Sequence, residues 1–349
     1  MAINSDDLKH SRRAVQGWLI ILIALVFGMI VVGGITRLTG SGLSIVEWAP
    51  IMGAIPPLNE GQWLEAFAMY QDSPQYRLTN SHMQLADFKG IFFWEYMHRL
   101  LARSIGVVFL LPFLWFWSRG CFTRGLSWRL LLAFGLGGLQ GLVGWLMVAS
   151  GLVDEPRVSH YRLATHLGLA FLIMAYFWWI LLSLNNFQRS RATAANSRGW
   201  LWLLAIVSIV QMLYGAFVAG LRAGIGYNTF PKMGERWIAE AVMNAEPWWI
   251  NLLADHATVQ FIHRWLGTVV LLLSIVLWLR ARDAALSLAQ RSGLNWLLGL
   301  VLLQYFLGVY TLIRVVPLVP AVMHQGCAAL LLLAIVRVFF HNRAAAAAN

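Results

Sequence analysis

Charged side chains are scarce in this chain. They make up only 12% of the 349 residues, against 59% hydrophobic ones. With a mean hydropathy of +0.66, that balance excludes a soluble globule and points to a polytopic membrane protein. Cysteine is almost absent. Two residues, Cys121 and Cys327, exclude a disulfide framework and a thiolate metal site. They fall near opposite ends of their spans, and a bilayer core of about 30 Å between those levels leaves no bond to be expected. No small-residue cleavage site follows the first apolar run, so no cleavable signal peptide is expected. Acidic residues number 15 against 26 lysines and arginines, yet no basic patch with interleaved aromatics occurs. Nucleic-acid binding is therefore not expected.

Eight apolar runs are each near the roughly 20 residues that a spanning helix needs. They lie near Gly17–Thr36, Lys89–Trp117, Trp128–Ala149, Arg162–Leu184, Gly199–Leu221, Ala257–Leu279, Gly293–Ile313 and Ala321–Phe340. The basic residues collect in the N-terminal tail (Lys9, Arg12, Arg13), in alternate loops (Arg119 and Arg124; Arg189, Arg191 and Arg198; Arg280, Arg282 and Arg291) and at Arg343. The acidic residues collect in the other loops, from Glu47 to Asp87, at Asp154 and Glu155, and from Glu235 to Asp255. By the positive-inside rule both termini are cytoplasmic. The excess of positive charge is thus a topology signal.

The chain repeats as four helices plus four. Trp48-Ala49-Pro50-Ile51-Met52-Gly53 after the first span matches Thr229-Phe230-Pro231-Lys232-Met233-Gly234 after the fifth. Leu139-Gln140-Gly141-Leu142-Val143-Gly144 resembles Leu303-Gln304-Tyr305-Phe306-Leu307-Gly308, and Thr165-His166-Leu167-Gly168 resembles Met323-His324-Gln325-Gly326. The expected architecture is all-α: two pseudo-symmetric four-helix bundles, 1–186 and 199–349, joined by a polar linker over 187–198. Their equal topology implies an axis along the membrane normal. In the first outer loop, Asn59 with Gln62 three residues on is an N-cap pattern. Trp63, Phe67 and Tyr70 follow at helical spacing, which predicts a short amphipathic helix, either an interfacial anchor or a lid. The outer loop from Arg222 to His256 is expected to be similar, with Trp237, Trp248 and Trp249 as belt residues.

Four of the nine histidines fall inside spans: His98, His166, His263 and His324. Each is in the outer third of an even-numbered helix, roughly 5 to 13 Å below the boundary at 1.5 Å per residue. A lone intramembrane histidine can be an interhelical hydrogen-bond partner. Four at repeat-related positions and matched depth argue instead for ligands. Imidazoles without thiolates or clustered carboxylates suit haem iron, with one bis-histidine site per half: His98 with His166, and His263 with His324. Both sites then lie toward the outer surface, side by side. Stacking haems across the membrane takes two histidines on one helix, which this chain lacks. Arg99 and Arg264 follow the first histidine of each pair, either to hold haem propionates or to snorkel to the interface. Gly33, Gly34, Gly137, Gly138, Gly141 and Gly144 suit close helix approach or a flat ligand.

Glu95 stands one turn before His98, where the second half has Gln260. Glutamine keeps the size but cannot ionise, so one half is able to do acid–base work and the other only to hold something.

Taken together, Gly33-Gly34-Ile35-Thr36-Arg37-Leu38-Thr39, Ser41-Gly42-Leu43-Ser44, Trp48-Ala49-Pro50, Phe88-Lys89-Gly90-Ile91-Phe92 and Glu95-Tyr96-Met97-His98-Arg99 resemble the haem A synthase family in its proteobacterial and mitochondrial form. The resemblance runs from about Gly17 to Phe340. It implies a bacterial inner-membrane oxidoreductase that converts a methyl group of haem O to the formyl group of haem A for cytochrome oxidase biogenesis. Carried over, it implies that His263 and His324 ligate a resident haem b. It also implies that His98 and His166 serve the substrate haem O, with Glu95 as the catalytic carboxylate. The partners it implies are haem O synthase, cytochrome oxidase assembly factors and a second copy of the chain. Some bacterial members carry a cysteine pair in the outer loops, and this chain departs from that pattern. The alternatives are a dihaem b-type electron-transfer protein, for which an ionisable group in one half serves no purpose, and a haem carrier.

Overall fold

The computed structural model describes residues 5–47, 52–151, 158–185, 198–282, 284 and 286–342. Trp48-Ala49-Pro50, Asp154, Glu155, the 187–197 part of the linker with Arg189 and Arg191, and Arg343 lie outside the described residues. Among the described residues the chain is all-α, with one isolated β-bridge between Met233 and Arg236. Its helices are α1 (Ser5–Leu38), α2 (Glu60–Gln71), α3 (Leu85–Ser118), α4 (Arg124–Ser150), α5 (His160–Leu184), α6 (Arg198–Leu221), α7 (Trp249–Leu253), α8 (His256–Ala281), α9 (Leu288–Ile313) and α10 (Leu318–His341). Eight of these, all but α2 and α7, are long and apolar enough to cross a membrane. Each contains one of the eight apolar runs. Outward-facing Leu111, Leu114, Ile206, Ile209, Leu302 and Phe306 are exposed. In water each would forfeit its burial energy, whereas lipid is as apolar as the side chain.

The chain forms two compact units, Met1–Ile173 and Met174–Asn349. The division falls inside α5 because the second part of that helix packs on α10. There the Trp178 indole N–H donates to the Leu333 carbonyl at 3.0 Å and Trp179 meets Phe340 edge-on.

In the first unit α1 packs along α3. Near the start of α1, Trp18 donates to the Val108 carbonyl at 2.8 Å and lies among Phe109, Phe116 and Phe122. The expected short helix is α2. Asn59 caps it by accepting from the Gln62 N–H, and the Gln62 side chain accepts from the Leu58 N–H at 2.7 Å. Helix α3 has 34 residues, about 51 Å at 1.5 Å per residue. It therefore outruns the bilayer core, and its first turns receive the α2 stripe. Trp63, Phe67 and Tyr70 pack on Phe88 and Phe92 there.

In the second unit α6 packs on α8, α8 on α9, and α9 on α10. A core of Leu201, Leu204, Val270, Leu277, Leu297, Val301, Leu331 and Ile335 fills one end. It draws mainly on the first halves of α6 and α9 and the second halves of α8 and α10, whereas His263 and His324 lie in the first halves of α8 and α10. The loop 222–255 differs from the expected likeness to the first outer loop. It holds a 3-10 turn at Ala223–Ile225 and the five-residue α7, because no apolar stripe like Trp63-Phe67-Tyr70 runs through it. Trp237, Trp248 and Trp249 are exposed there.

Candidate haem sites

Each spanning hairpin sets a glycine of its first helix against a histidine of its second. A Cβ built on Gly33 (α1) would stand 3.3 Å from His98 Nε2, and one on Gly144 (α4) 2.8 Å from His166 Cε1. In the second unit, Gly215 (α6) would meet His263 Cε1 at 3.1 Å, and Gly308 (α9) His324 Cε1 at 2.8 Å. Any larger residue would displace the ring, so the imidazoles lie directly on helix backbone. Gly137, Gly138 and Gly141 have no such neighbour within 4 Å. Of the glycines in that helix, only Gly144 bears on a histidine.

A glutamine stands one turn before three of these glycines: Gln140, Gln211 and Gln304, with Met29 at the fourth position. Gln140 donates to the His166 carbonyl at 3.1 Å, and its amide nitrogen lies 3.4 Å from His166 Nε2. Gln304 Nε2 lies 3.4 Å from His324 Nε2, and His324 Nδ1 is 3.1 Å from the Gln304 carbonyl. With Nδ1–H donating to that carbonyl, Nε2 is the nitrogen left to ligate. These glutamines and the glycines Gly215 and Gly308 had no assigned role in the sequence reading. The signal was a Gln-x-x-x-Gly spacing three times over.

His263 and His324 come together, with ring centroids 6.5 Å apart and planes at 88°. An iron held between two imidazole nitrogens at about 2 Å each sets the centroids roughly 6.3 Å apart. That separation is compatible with ligation of one iron by both rings. His166 Nδ1 is buried without a hydrogen-bond partner, an unfavourable state for a polar atom that nothing binds. Among the described residues no group of three or more His, Cys, Asp or Glu side chains could hold a bare metal ion. Paired imidazoles are one of the ligand sets that hold haem iron. Arg162 at the start of α5 ties that helix to α4 by donating to the Leu146 carbonyl at 2.7 Å.

Glu95 is 3% exposed. One oxygen accepts from the Ser44 hydroxyl and the Ile45 N–H, both at 2.8 Å. The other pairs with Arg99 at 2.7 Å. Arg99 also donates to the carbonyls of Ile45 (2.7 Å) and Glu47 (2.9 Å). In the second unit Gln260 donates to the carbonyls of Ala223 (3.0 Å) and Gly226 (2.6 Å). Arg264 donates to those of Thr229, Lys232 and Tyr227, so both arginines engage outer-loop carbonyls. Arg264 Nε remains buried without a partner. Its side chain lines a cavity of about 150 Å³ with Phe230, Pro231, Trp265, Thr268 and Tyr305. Ser44, 2% exposed, is a partner of Glu95 that no sequence spacing announces.

A family model described as COX15-CtaA, cytochrome oxidase assembly protein, matches residues 16–336. The heme A synthase of Nitrosospira multiformis is 46% identical over 330 residues, covering 94% of this chain and 93% of that protein. The heme A synthase of Rhodospirillum centenum is 46% identical, covering 91% and 86%. That of Bradyrhizobium diazoefficiens is 49% identical, covering 93% and 91%.

Proposed function

The chain belongs to the COX15-CtaA family of cytochrome oxidase assembly proteins, among the haem A synthases, and on that premise we propose that it oxidises a methyl group of haem O to the formyl group of haem A through two histidine sites with different occupants. His263 and His324 hold a resident haem b in the second half. His98 and His166 hold the substrate haem O in the first, beside Glu95. The observation that carries this reading is the 6.5 Å His263–His324 pair, repeated as glycine-backed histidines in the first half, where alone a carboxylate stands one turn away.

Methyl to formyl is a four-electron oxidation that also adds one oxygen atom, from water or dioxygen, so electrons must leave the substrate. A haem bound by His263 and His324 supplies a centre able to pass them on. His98 and His166, fixed against Gly33 and Gly144, set the substrate's orientation. The acceptor positions of Glu95 are taken up by Ser44, Ile45 and Arg99. Glu95 is therefore held as a fixed part of the site wall, with its charge matched by Arg99. Arg99 and Arg264 bring positive charge to the haem edges where propionates lie. Arg264 does so through its unpartnered Nε and the cavity beside it.

The protein is a multi-pass membrane protein that works in cytochrome oxidase assembly. Its termini are cytoplasmic and its haem sites face the outer side of the bacterial inner membrane. Haem O synthase is the source of its substrate, and a second copy of the chain is a candidate partner.

Pigment extraction from the purified protein, beside a His263→Ala variant, tests the reading. Haem B together with haem O or haem A is expected, with mainly haem B lost from the variant. Two equivalents of haem B and no modified haem, with haem O supplied, would overturn it in favour of a dihaem electron carrier.

A further inference from the structure

Both halves use the residue three before the first histidine, with the arginine after that histidine, to grip the chain that follows the preceding span. The polarity of the grip is inverted between them. In the first half the gripped segment presents donors, the Ser44 hydroxyl and the Ile45 N–H. In the second it presents acceptors, the carbonyls of Ala223 and Gly226. A carboxylate only accepts, whereas an amide NH2 donates. Glutamate at 95 and glutamine at 260 are therefore each the residue that matches its loop.

The first-half segment also reaches the other wall of the site. Leu43, 4% exposed, packs so closely on the end of α4 that a Cβ on Gly151 would stand 2.9 Å from Leu43 Cδ2. Further out, Gln75 donates to the Gly40 carbonyl at 2.8 Å. The stretch 40–45 is thus fastened both to α3, which carries His98, and to α4, whose Gly144 and Gln140 back His166.

We infer that Glu95, Ser44 and Arg99 form a latch that holds segment 40–47 across the outward end of the first-half histidine pair. In this latch Glu95 is a positioning residue, and its replacement by Gln260 in the second half follows loop polarity. The inference rests on the reading of His98 and His166 as the substrate site. It removes the proton-acceptor role that the Glu95/Gln260 difference had seemed to require.

The test compares Glu95→Gln, Ser44→Ala and Gln260→Glu in the full-length, haem-loaded protein. Backbone hydrogen exchange of residues 40–47 and 223–226, retention of haem O and haem B, and haem A formation are followed in parallel. Glu95→Gln is expected to raise exchange across 40–47 by about tenfold and to lower haem O retention together with haem A formation, while haem B stays. Ser44→Ala shifts the same readouts by less. Gln260→Glu sets a carboxylate against two carbonyls and loosens 223–226 with loss of haem B. The latch is refuted if Glu95→Gln abolishes haem A formation with exchange and haem O retention at wild-type levels, or if Gln260→Glu leaves 223–226 protected. A wild-type protein that makes no haem A from haem O would overturn the proposed function instead, and the exchange data would still decide the latch.

Discussion

Alanine at position 308 would place a methyl carbon 2.8 Å from Cε1 of His324, and 3.4 and 3.5 Å from its two nitrogens. Carbon atoms rest at about 3.5–4.0 Å from one another, so the ring must retreat by roughly 0.7–1.2 Å. It has little freedom to do so, because Nδ1 is held at 3.1 Å by the Gln304 carbonyl on the same helix as Gly308. Overpacking of this kind costs about 1–3 kcal/mol. Alanine for glycine inside a helix returns about 1 kcal/mol. The fold then loses at most about 2 kcal/mol by the same bookkeeping, and the protein still assembles. Ligation is far less tolerant, since metal–ligand distances hold to within about 0.2 Å. Gly308→Ala should therefore purify in near-normal yield with haem b affinity reduced about tenfold or more. The readouts are haem per polypeptide by extraction and absorption spectrum, beside a thermal melt. Gly299→Ala on the same helix has no neighbour within 4 Å and should keep its haem with a slightly higher melting temperature. A Gly308→Ala protein with full haem and an unchanged spectrum would refute the reasoning, as would equal loss from Gly299→Ala.

The same contrast applies to the first half. Gly144→Ala, 2.8 Å from His166 Cε1, should impair haem O loading, whereas Gly141→Ala, with open space around it, should not; equal loading of the two would remove Gly144 from the site. The outer-loop cluster should respond to alkali. Tyr70 is fully buried, and burial, with smaller contributions from the Glu95 and Tyr76 charges and against the Asn80 hydrogen bond, holds its phenol above the ordinary 10.0. A raised folded-state value means stability that is present below about pH 10 and lost as pH climbs past it. Trp63 fluorescence should report that loosening. Tyr70→Phe leaves Asn80 and Gln75 short of a partner, so it should be weaker at neutral pH by about 1–3 kcal/mol but lack the alkaline step. An unchanged alkaline step in that variant would rule Tyr70 out as its source.

Sequence alone determined the eight spans, the capped amphipathic α2 and the four histidines, because each depends on local pattern. A run of about 20 apolar residues must be helical in lipid to satisfy its own backbone. Asn59 and Gln62 cap a helix within one turn, and ionisable groups at membrane depth stand out against an apolar background. The relation between helices was partly legible through the repeat, which paired His263 with His324 before any distance was known. What only the tertiary structure decided is which neighbours these residues meet. Gly144 and Gly141 are equivalent by composition, yet one lies against an imidazole and the other against nothing, because a helix turns its residues to different sides. That Arg99 and Arg264 tie their helices to the carbonyls of the outer loops is likewise a product of the fold. The contrast between Glu95 and Gln260 was visible as a difference in charge. Its physical reason was not, because the donors at Ser44 and Ile45 and the acceptors at Ala223 and Gly226 belong to loops dozens of residues away, and hydrogen-bond polarity across such a distance exists only once the chain has folded.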